Sequence, residues 1–405
     1  MAYIDRYPGW KDLDMRTFIN QVKVRETAIQ TTPLKEIQTV FASNQKAQLL
    51  HPGVQEMFVS EIIDHGQAEA KTFVLKKCDG TASAWFRAGQ YVDIALEIDG
   101  AKLTRAYSLC YSPLLSRQGI YAITIKRNPA EDAFAANRIL DTVKVGQTLT
   151  VSEPHGDFCY EPVRDRQKVA GLAGGSGITP FLSMAYAIRD GIEDFELTIL
   201  FGSRTEDGIL FRKELDDIAS VCDKVKIVHV LSDEQKEGFE HGFLSGKLIE
   251  KYVGRDCSVF VCGPAGLYHF AKSEAAKLGI ENRYVRNKLR GVTRAPWELA
   301  GYPLEAKSQT FTLTVTKYGD TFMIPSSAGE PLLCAIERAG ITAPSRCRSG
   351  ECGWCRSKLI NGQVFVPEDN DGRRAADIIY GYIHPCSAFP LSDIELEITE
   401  SEMFE

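Results

Sequence analysis

Positive charge is not in excess in this chain. Its 405 residues carry 47 Lys+Arg against 54 Asp+Glu, a net charge of −7. Wrapping a polyphosphate backbone is therefore not the expected role, and no nucleic-acid partner is expected. Histidine is scarce: the 7 residues are scattered, and no His–Asp–Ser arrangement or His-rich metal set stands out. No repeat of roughly 20–50 residues and no low-complexity tract is present. Met1–Trp10 lacks the basic-then-apolar pattern of a leader. Long apolar runs are missing too. The uncharged stretch Val169–Ile188 contains Gly171, Gly174, Gly175, Gly177 and Pro180, without the Leu/Ile/Val density of a bilayer span. These absences lead to the expectation of a cytoplasmic protein without membrane insertion.

What is present is an ordinary globular mix, 44% hydrophobic and 25% charged, long enough for three domains at roughly 100–200 residues each. Acid is unevenly spread. Residues 308–405 hold 14 Asp+Glu and 8 Lys+Arg, a net of −6, whereas the first 307 hold 40 and 39. That asymmetry reads as an electrostatic docking face, or as a solvated acidic surface. Cysteines number 11, and four of them crowd into 347–386. An odd, clustered set points to metal ligands and inert core thiols rather than to a disulfide framework.

Residues 1–50 form an extension of unknown role, with helical spacing at Asp14–Val24 and Leu34–Leu50 before His51-Pro52-Gly53. From 51 to 165 the texture is all-β. Met57–Ile63, Lys71–Lys77, Tyr91–Ile98, Arg105–Tyr111, Ile120–Lys126 and Thr148–Glu153 are rich in Val, Ile, Tyr and Thr. Turn signals such as Cys78-Asp79-Gly80 and Ile98-Asp99-Gly100 separate them, and one helical insert lies at Ala133–Leu140. This predicts an antiparallel six-stranded β-barrel. From 166 to 290, strands at Lys168–Leu172, Glu196–Phe201, Lys224–Leu231 and Ser258–Cys262 alternate with helices at Pro180–Arg189, Arg212–Ser220, Lys247–Lys251 and Ala265–Leu278. That alternation predicts a parallel α/β sheet. Residues 291–308 read as a linker. Residues 309–405 read as a small α+β domain, with a hairpin turning at Tyr318-Gly319-Asp320, a helix at Pro331–Ala339 and a last strand at Asp393–Thr399.

The strongest chemical signal is Cys347-x4-Cys352-x2-Cys355, with Cys386 further on. This is the spacing that holds a plant-type [2Fe–2S] cluster, which takes four thiolates as two pairs. Three must come from one tight loop, and Ser349, Gly350 and Gly353 are small enough to let backbone N–H groups approach the sulfurs. The alternative is structural zinc, which usually pairs two C-x2-C knuckles; only one is found here. Cys334 is expected to be a buried small hydrophobe. His384, two residues before Cys386, has two placements open to it, near the cluster or at the surface, and the surface is favoured.

Val169-Ala170-Gly171-Leu172 is followed by Gly174-Gly175-Ser176-Gly177-Ile178-Thr179-Pro180 and then a helix, a strand–loop–helix that lets backbone approach a pyrophosphate. It is not the Rossmann G-x-G-x-x-G, and a ligand-free turn is the alternative. The strand Val259–Cys262 ends in Cys262-Gly263-Pro264, at the same edge of the sheet. On a barrel strand, Arg105 and Tyr107 of Arg105-Ala106-Tyr107-Ser108 share a face by alternation, placing a cation beside an aromatic ring.

In this order the motifs resemble the ferredoxin–NADP reductase superfamily, and within it the NADH-dependent reductases with a C-terminal plant-type (β-grasp) ferredoxin domain. That group includes reductase components of multicomponent oxygenases and the hybrid-cluster-protein reductase. The resemblance spans about 55–405. It implies that Arg105 binds the flavin phosphate, Tyr107 stacks on the isoalloxazine and Ser108 bonds near N5. It implies that Gly174, Gly175, Gly177, Thr179 and Pro180 hold the dinucleotide, and that Cys262 with Gly263 and Pro264 flanks the nicotinamide. Ser108 and Cys262 are thus the candidate catalytic groups. Ala106, Ile123 and Lys126 are implied as further cofactor contacts. Where the group usually has Gly-x-x-Ser, this chain has Ala133-Phe134-Ala135-Ala136; this leaves FMN open as an alternative to FAD, and FAD is favoured. At the ends of two strands, Ser203-Arg204 and Ser232-Asp233 bear on the nicotinamide choice. A carboxylate at 233 repels a 2′-phosphate and favours NADH, with Arg204 as a counterweight. The metal ligands are Cys347, Cys352, Cys355 and Cys386. The implied activity is an NAD(P)H-dependent electron-transfer reductase serving a terminal redox protein docked through the acidic ferredoxin domain. A stand-alone diaphorase or quinone reductase and a redox sensor are the alternatives.

Overall fold

The computed structural model describes residues 13–31, 41–98, 101–127, 134–288 and 295–398. Met1–Trp10, the expected helix start at Leu34, Asp99, Gly100, Ala133 and linker residues 291–294 lie outside these ranges. The chain forms two compact units, Met1–Gln48 and Leu49–Glu405. The first carries α1 (Leu13–Thr31) and most of α2 (Ala42–Leu50). Helix α1 continues past the expected end at Val24 because no Gly or Pro interrupts it before Pro33.

The second unit contains three sheets that bear on function. Strands β1 (Val54–Asp64), β2 (Ala70–Lys77), β3 (Tyr91–Ile98), β4 (Ala101–Ser108), β5 (Ile120–Lys126) and β6 (Thr148–Ser152) form an antiparallel sheet in the order β4-β3-β6-β1-β2-β5, with helix α3 (Phe134–Thr142) between β5 and β6. Its two edges come together at a bridge between Leu109 and Ile123. Period-2 alternation sorts the side chains. Tyr121, Ile123 and Ile125 of β5 face the interior with Met57, Val59 and Phe73. Ala122 on the opposite face joins the core of the next sheet. The expected strand Arg105–Tyr111 begins earlier, at Ala101, because it pairs along the whole of β3 from Ile98↔Ala101 to Tyr91↔Ser108.

Strands β7 (Lys168–Gly174), β8 (Glu196–Ser203), β9 (Val225–Leu231), β10 (Glu240–His241), β11 (Ser258–Cys262) and β12 (Val285–Asn287) are all parallel, in the order β10-β9-β8-β7-β11-β12. Helices α4 (Thr179–Arg189), α5 (Arg212–Val221), α6 (Gly246–Tyr252) and α7 (Ala265–Lys277) alternate with them. β7 is buried on both faces: Val169 and Ala173 enter one core, Ala170 and Leu172 the other. The strand order reverses between β7 and β11, the place where open α/β sheets bind ligands.

The third sheet joins β13 (Thr310–Lys317), β14 (Asp320–Ser327), β15 (Ser357–Asn361), β17 (Tyr382–Ile383) and β19 (Ile394–Ile398) in the order β14-β13-β19-β15-β17. A two-stranded ribbon of β16 (Val364–Phe365) and β18 (Phe389–Pro390) lies apart. β13 and β14 form the predicted hairpin, with Tyr318 at φ 52° and Gly319 at φ 88°. Two consecutive left-handed residues make the turn that matches strand twist. Helix α8 (Leu332–Arg338) supplies Leu332, Leu333 and Ile336 to the core beneath β13 and β19, and the short α9 (Ala375–Ile379) precedes β17. Part of the expected linker is packed: Tyr302 and Ala306 cluster with Ala328, with Trp297 and Phe365 against them.

Candidate functional site

A cavity of ≈ 1060 Å³ opens where the three sheets meet. The first sheet contributes Tyr91, the run Arg105–Ser108 and the end of β5 at Thr124–Arg127. The second contributes Ser176, Thr179, Asn287 and Lys288, and the third contributes Cys347, Arg348, Ser349 and Cys352. Of the residues singled out from sequence, Arg105, Ala106, Tyr107, Ser108, Lys126, Ala136, Thr179, Cys347 and Cys352 line this one space. Ile123 and Ala135 do not: Ile123 sits in the interior of the first sheet, and Ala135 is fully buried.

The Tyr107 hydroxyl is buried with no hydrogen-bond partner among the described residues, and burial pushes its pKa up to about 12. Both carboxyl oxygens of Asp93, on the neighbouring strand, are likewise orphaned. Burial raises that group to about 7, with Arg346 opposing the rise. An orphaned hydroxyl on a residue that lines a large cavity, that of Tyr107, suits a planar, hydrogen-bonding prosthetic group such as a flavin. Arg105, which lines the cavity, also makes an ion pair to the third sheet's helix. Its guanidinium lies against Glu337 of α8, at 3.2 and 3.1 Å. Lys288 is a cation that sequence reading missed. Its Nζ donates to Gly89 O at 2.6 Å and lies 5.5 Å from the Tyr91 ring centroid, tying the second sheet to the first. It follows a strand of only three residues, too short to leave a periodic signal.

At the switch point the two predicted loops touch each other. A Cβ on Gly177 would stand 2.0 Å from Cys262 O, and one on Gly174 would stand 2.8 Å from the Pro264 ring. These glycines are therefore required for loop-on-loop packing, whatever binds above them. Helix α4 opens at Thr179-Pro180, directly after the glycine loop. Cys262 is fully buried. Along that edge, Ser232 N donates to Ser203 O and Asp233 N to Arg204 O, both at 3.0 Å, so the two predicted pairs are neighbours. Ser232 Oγ donates to Asp233 Oδ1 at 2.6 Å.

The four cysteines converge. Cys355 and Cys386 have their sulfurs 3.3 Å apart, and both are buried. The N–H groups of Ser349 and Cys352 point at Cys347 Sγ, 3.5 and 3.4 Å away, and the Trp354 N–H points at Cys352 Sγ at 3.4 Å. Contact with Cys352 draws the Cys347 thiol down toward thiolate, and contact with Cys386 does the same to Cys355. Two sulfur pairs fringed by backbone N–H groups fit a two-iron cluster. The glycines matter here as well: Gly350 has φ 82°, and a Cβ on it would fall 1.9 Å from Asn370 O. His384 corrects the sequence expectation. It is 2% exposed, not on the surface, because Gly350 turns its carbonyl onto Nδ1 at 2.6 Å. Cys334 is buried as expected.

Family profiles described as oxidoreductase FAD-binding domain, oxidoreductase NAD-binding domain and 2Fe-2S iron-sulfur cluster binding domain match residues 66–160, 172–273 and 315–391. The chain is 29% identical over 330 residues to the glycine betaine monooxygenase reductase subunit of Chromohalobacter salexigens, covering 77% of this chain and 87% of that protein. It is 28% identical over 360 residues to the ferredoxin reductase component of 3-ketosteroid-9-alpha-monooxygenase from Mycobacterium tuberculosis, covering 86% and 96%. Among solved structures, phthalate dioxygenase reductase superposes with a TM-score of 0.63 at 24% identity, over 86% of this chain and 98% of that one. No helix among the described residues is long and apolar enough to cross a membrane.

Proposed function

We propose, given that this chain belongs to the ferredoxin–NADP reductase superfamily and carries FAD-, NAD- and [2Fe–2S]-binding domains, that it is the reductase component of a multicomponent oxygenase. It draws electrons from NADH and hands them to that terminal enzyme. In this reading the flavin part spans 51–165, the nicotinamide part 166–290 and the ferredoxin part 309–405, joined by 291–308. The single observation that carries it is the shared cavity: Tyr107 and Ser108, Thr179, and the ligand cysteines 347 and 352 bound one space. When bound, FAD supplies hydride acceptance from NADH, and the cluster supplies one-electron delivery.

The chain's own residues orient and insulate. The loops at Gly174–Pro180 and Cys262–Pro264 hold the nicotinamide end at the switch point, within reach of Ser108. Near-attack geometry, roughly 3–3.5 Å between reacting atoms, is what such positioning secures. Arg105, Lys126, Ala106 and Ala136 line the flavin side. Cys347, Cys352, Cys355 and Cys386 hold the iron. Strand β19 presents Glu395 and Glu397 outward while Ile394, Leu396 and Ile398 face the core, and an acidic face of this kind suits a basic patch on the recipient.

The test is Cys352→Ser. NADH-to-dye turnover is expected to persist while one-electron transfer to a protein acceptor is lost; equal loss of both would contradict the division of labour. Raising ionic strength is expected to slow transfer to the recipient, and an unchanged rate would remove the acidic docking face.

A further inference from the structure

A buried three-part ion network joins the flavin sheet to the ferredoxin sheet. Glu337, on α8, has a side chain only 1% exposed. It receives two guanidinium forks. Arg105 of β4 contacts Oε1 at 3.2 Å and Oε2 at 3.1 Å. Arg348 contacts the same oxygens at 2.7 and 2.9 Å. Arg348 is the residue after Cys347 and is held at φ 56°, a left-handed conformation that costs a non-glycine residue energy. One residue before Arg105, Thr104 Oγ1 donates to Ser345 O at 2.8 Å, two residues short of Cys347. Burial alone would raise the Glu337 carboxyl; Arg348 and then Arg105 hold it below its ordinary value.

The arrangement is costly unless it has a use beyond stability. Taking three ions out of water has a large desolvation cost, and apolar residues often stabilise such a place as well. What an ion network adds is geometry: two bidentate forks fix both distance and angle. The two residues it fixes are Arg105, in the wall of the flavin cavity, and the immediate neighbour of cluster ligand Cys347.

We propose that Glu337 is a positioning residue for internal electron transfer, clamping the cluster loop onto strand β4 through Arg348 and Arg105. The proposal rests on the electron path given above and names what sets its register. No bond to a cofactor is assigned to Glu337 itself. Without it, the ferredoxin part keeps the apolar core that Leu313, Ile336 and Leu396 share, and loses its fixed seat on the flavin sheet.

The test is Glu337→Gln in the full chain, with two readouts. In anaerobic stopped flow with NADH, flavin and cluster bleaching are followed in one trace. The variant is expected to slow cluster bleaching several-fold relative to flavin bleaching, since electron tunnelling weakens as the two redox groups move apart. The slowed phase is expected to depend on solvent viscosity, as a motion that must re-seat a domain does and a fixed geometry does not. Hydrogen–deuterium exchange, which needs no turnover, is expected to quicken in peptides covering 101–108 and 345–348 and not in β13 or β19. Wild-type bleaching ratios with wild-type exchange overturn the proposal, as does equal slowing of both phases without viscosity dependence. Should E337Q not fold, Glu337→Asp carries the test: one methylene shorter, it must show the same changes at smaller size, and wild-type values in it overturn the proposal. If wild-type protein shows no cluster bleaching with NADH, the electron path itself fails, while the exchange data still decide on the clamp.

Discussion

Gly177 stands against the backbone of Cys262: a Cβ at position 177 would lie 2.0 Å from the Cys262 carbonyl oxygen and 2.8 Å from the Gly263 nitrogen. The obstacle is main chain on both counts, so no rotamer can relieve it. Gly177→Ala is expected to force the two ligand loops apart, costing ~1–3 kcal/mol as overpacking does. The Michaelis constant for NADH should rise about tenfold, equivalent to about 1.4 kcal/mol of binding. Gly191 is the control. It lies past the far end of α4 and has φ 71° with nothing within 4 Å of a Cβ, so Gly191→Ala should bring only backbone strain of roughly 1–2 kcal/mol and leave NADH affinity near wild type. Melting temperature and NADH titration of the two variants distinguish the cases; equal affinities would refute the close-approach argument.

Asp233 closes the edge where the nicotinamide dinucleotide's second ribose is expected. Its carboxylate accepts from Ser232 Oγ, and its own N–H is bonded to Arg204 O. A carboxylate there repels a 2′-phosphate and accepts from a ribose hydroxyl. Asp233→Arg should therefore raise kcat/KM for NADPH by at least about tenfold relative to NADH, since a charge-assisted hydrogen bond is worth ~1.5–3 kcal/mol. Steady-state kinetics with both nucleotides measure this. A wild-type preference for NADPH would show that Arg204, not Asp233, governs the site.

The sequence was readable wherever a local pattern carries the physics. Alternating runs at β3 and β5 and the continuous apolar run at β11 match the structure to the residue, because each needs one or both faces in a core. The cysteine loop was readable because one tight turn must bring three thiols together. What could not be read is what joins the parts. Glu337 meets Arg105 across 232 positions, and Lys288 meets Gly89 across 199; neither leaves a local trace, and on α8 Glu337 looks like a solvent-facing residue. His384 was misread for the same reason: nothing local marks a histidine as buried, and only the fold reveals the Gly350 carbonyl that meets its ring.

His155 gives the cavity region a pH signature. It pairs with Tyr91 through both backbone bonds, at 2.9 and 2.7 Å, and its ring centroid lies 6.0 Å from that of Tyr91. Nε2 is buried with no hydrogen-bond partner among the described residues. Burial, reinforced by the nearby Arg346, lowers its pKa to about 4. The folded state thus binds the proton less tightly than the unfolded chain, whose histidine titrates near 6.5. The sign follows from linkage: the stabilisation is fully present above about pH 6.5 and is lost as pH falls toward about 4. Denaturant melts across that window should show wild type losing stability on acidification more steeply than His155→Gln, with the two curves parallel above it. Parallel curves throughout would mean that the imidazole is already solvated in the folded protein.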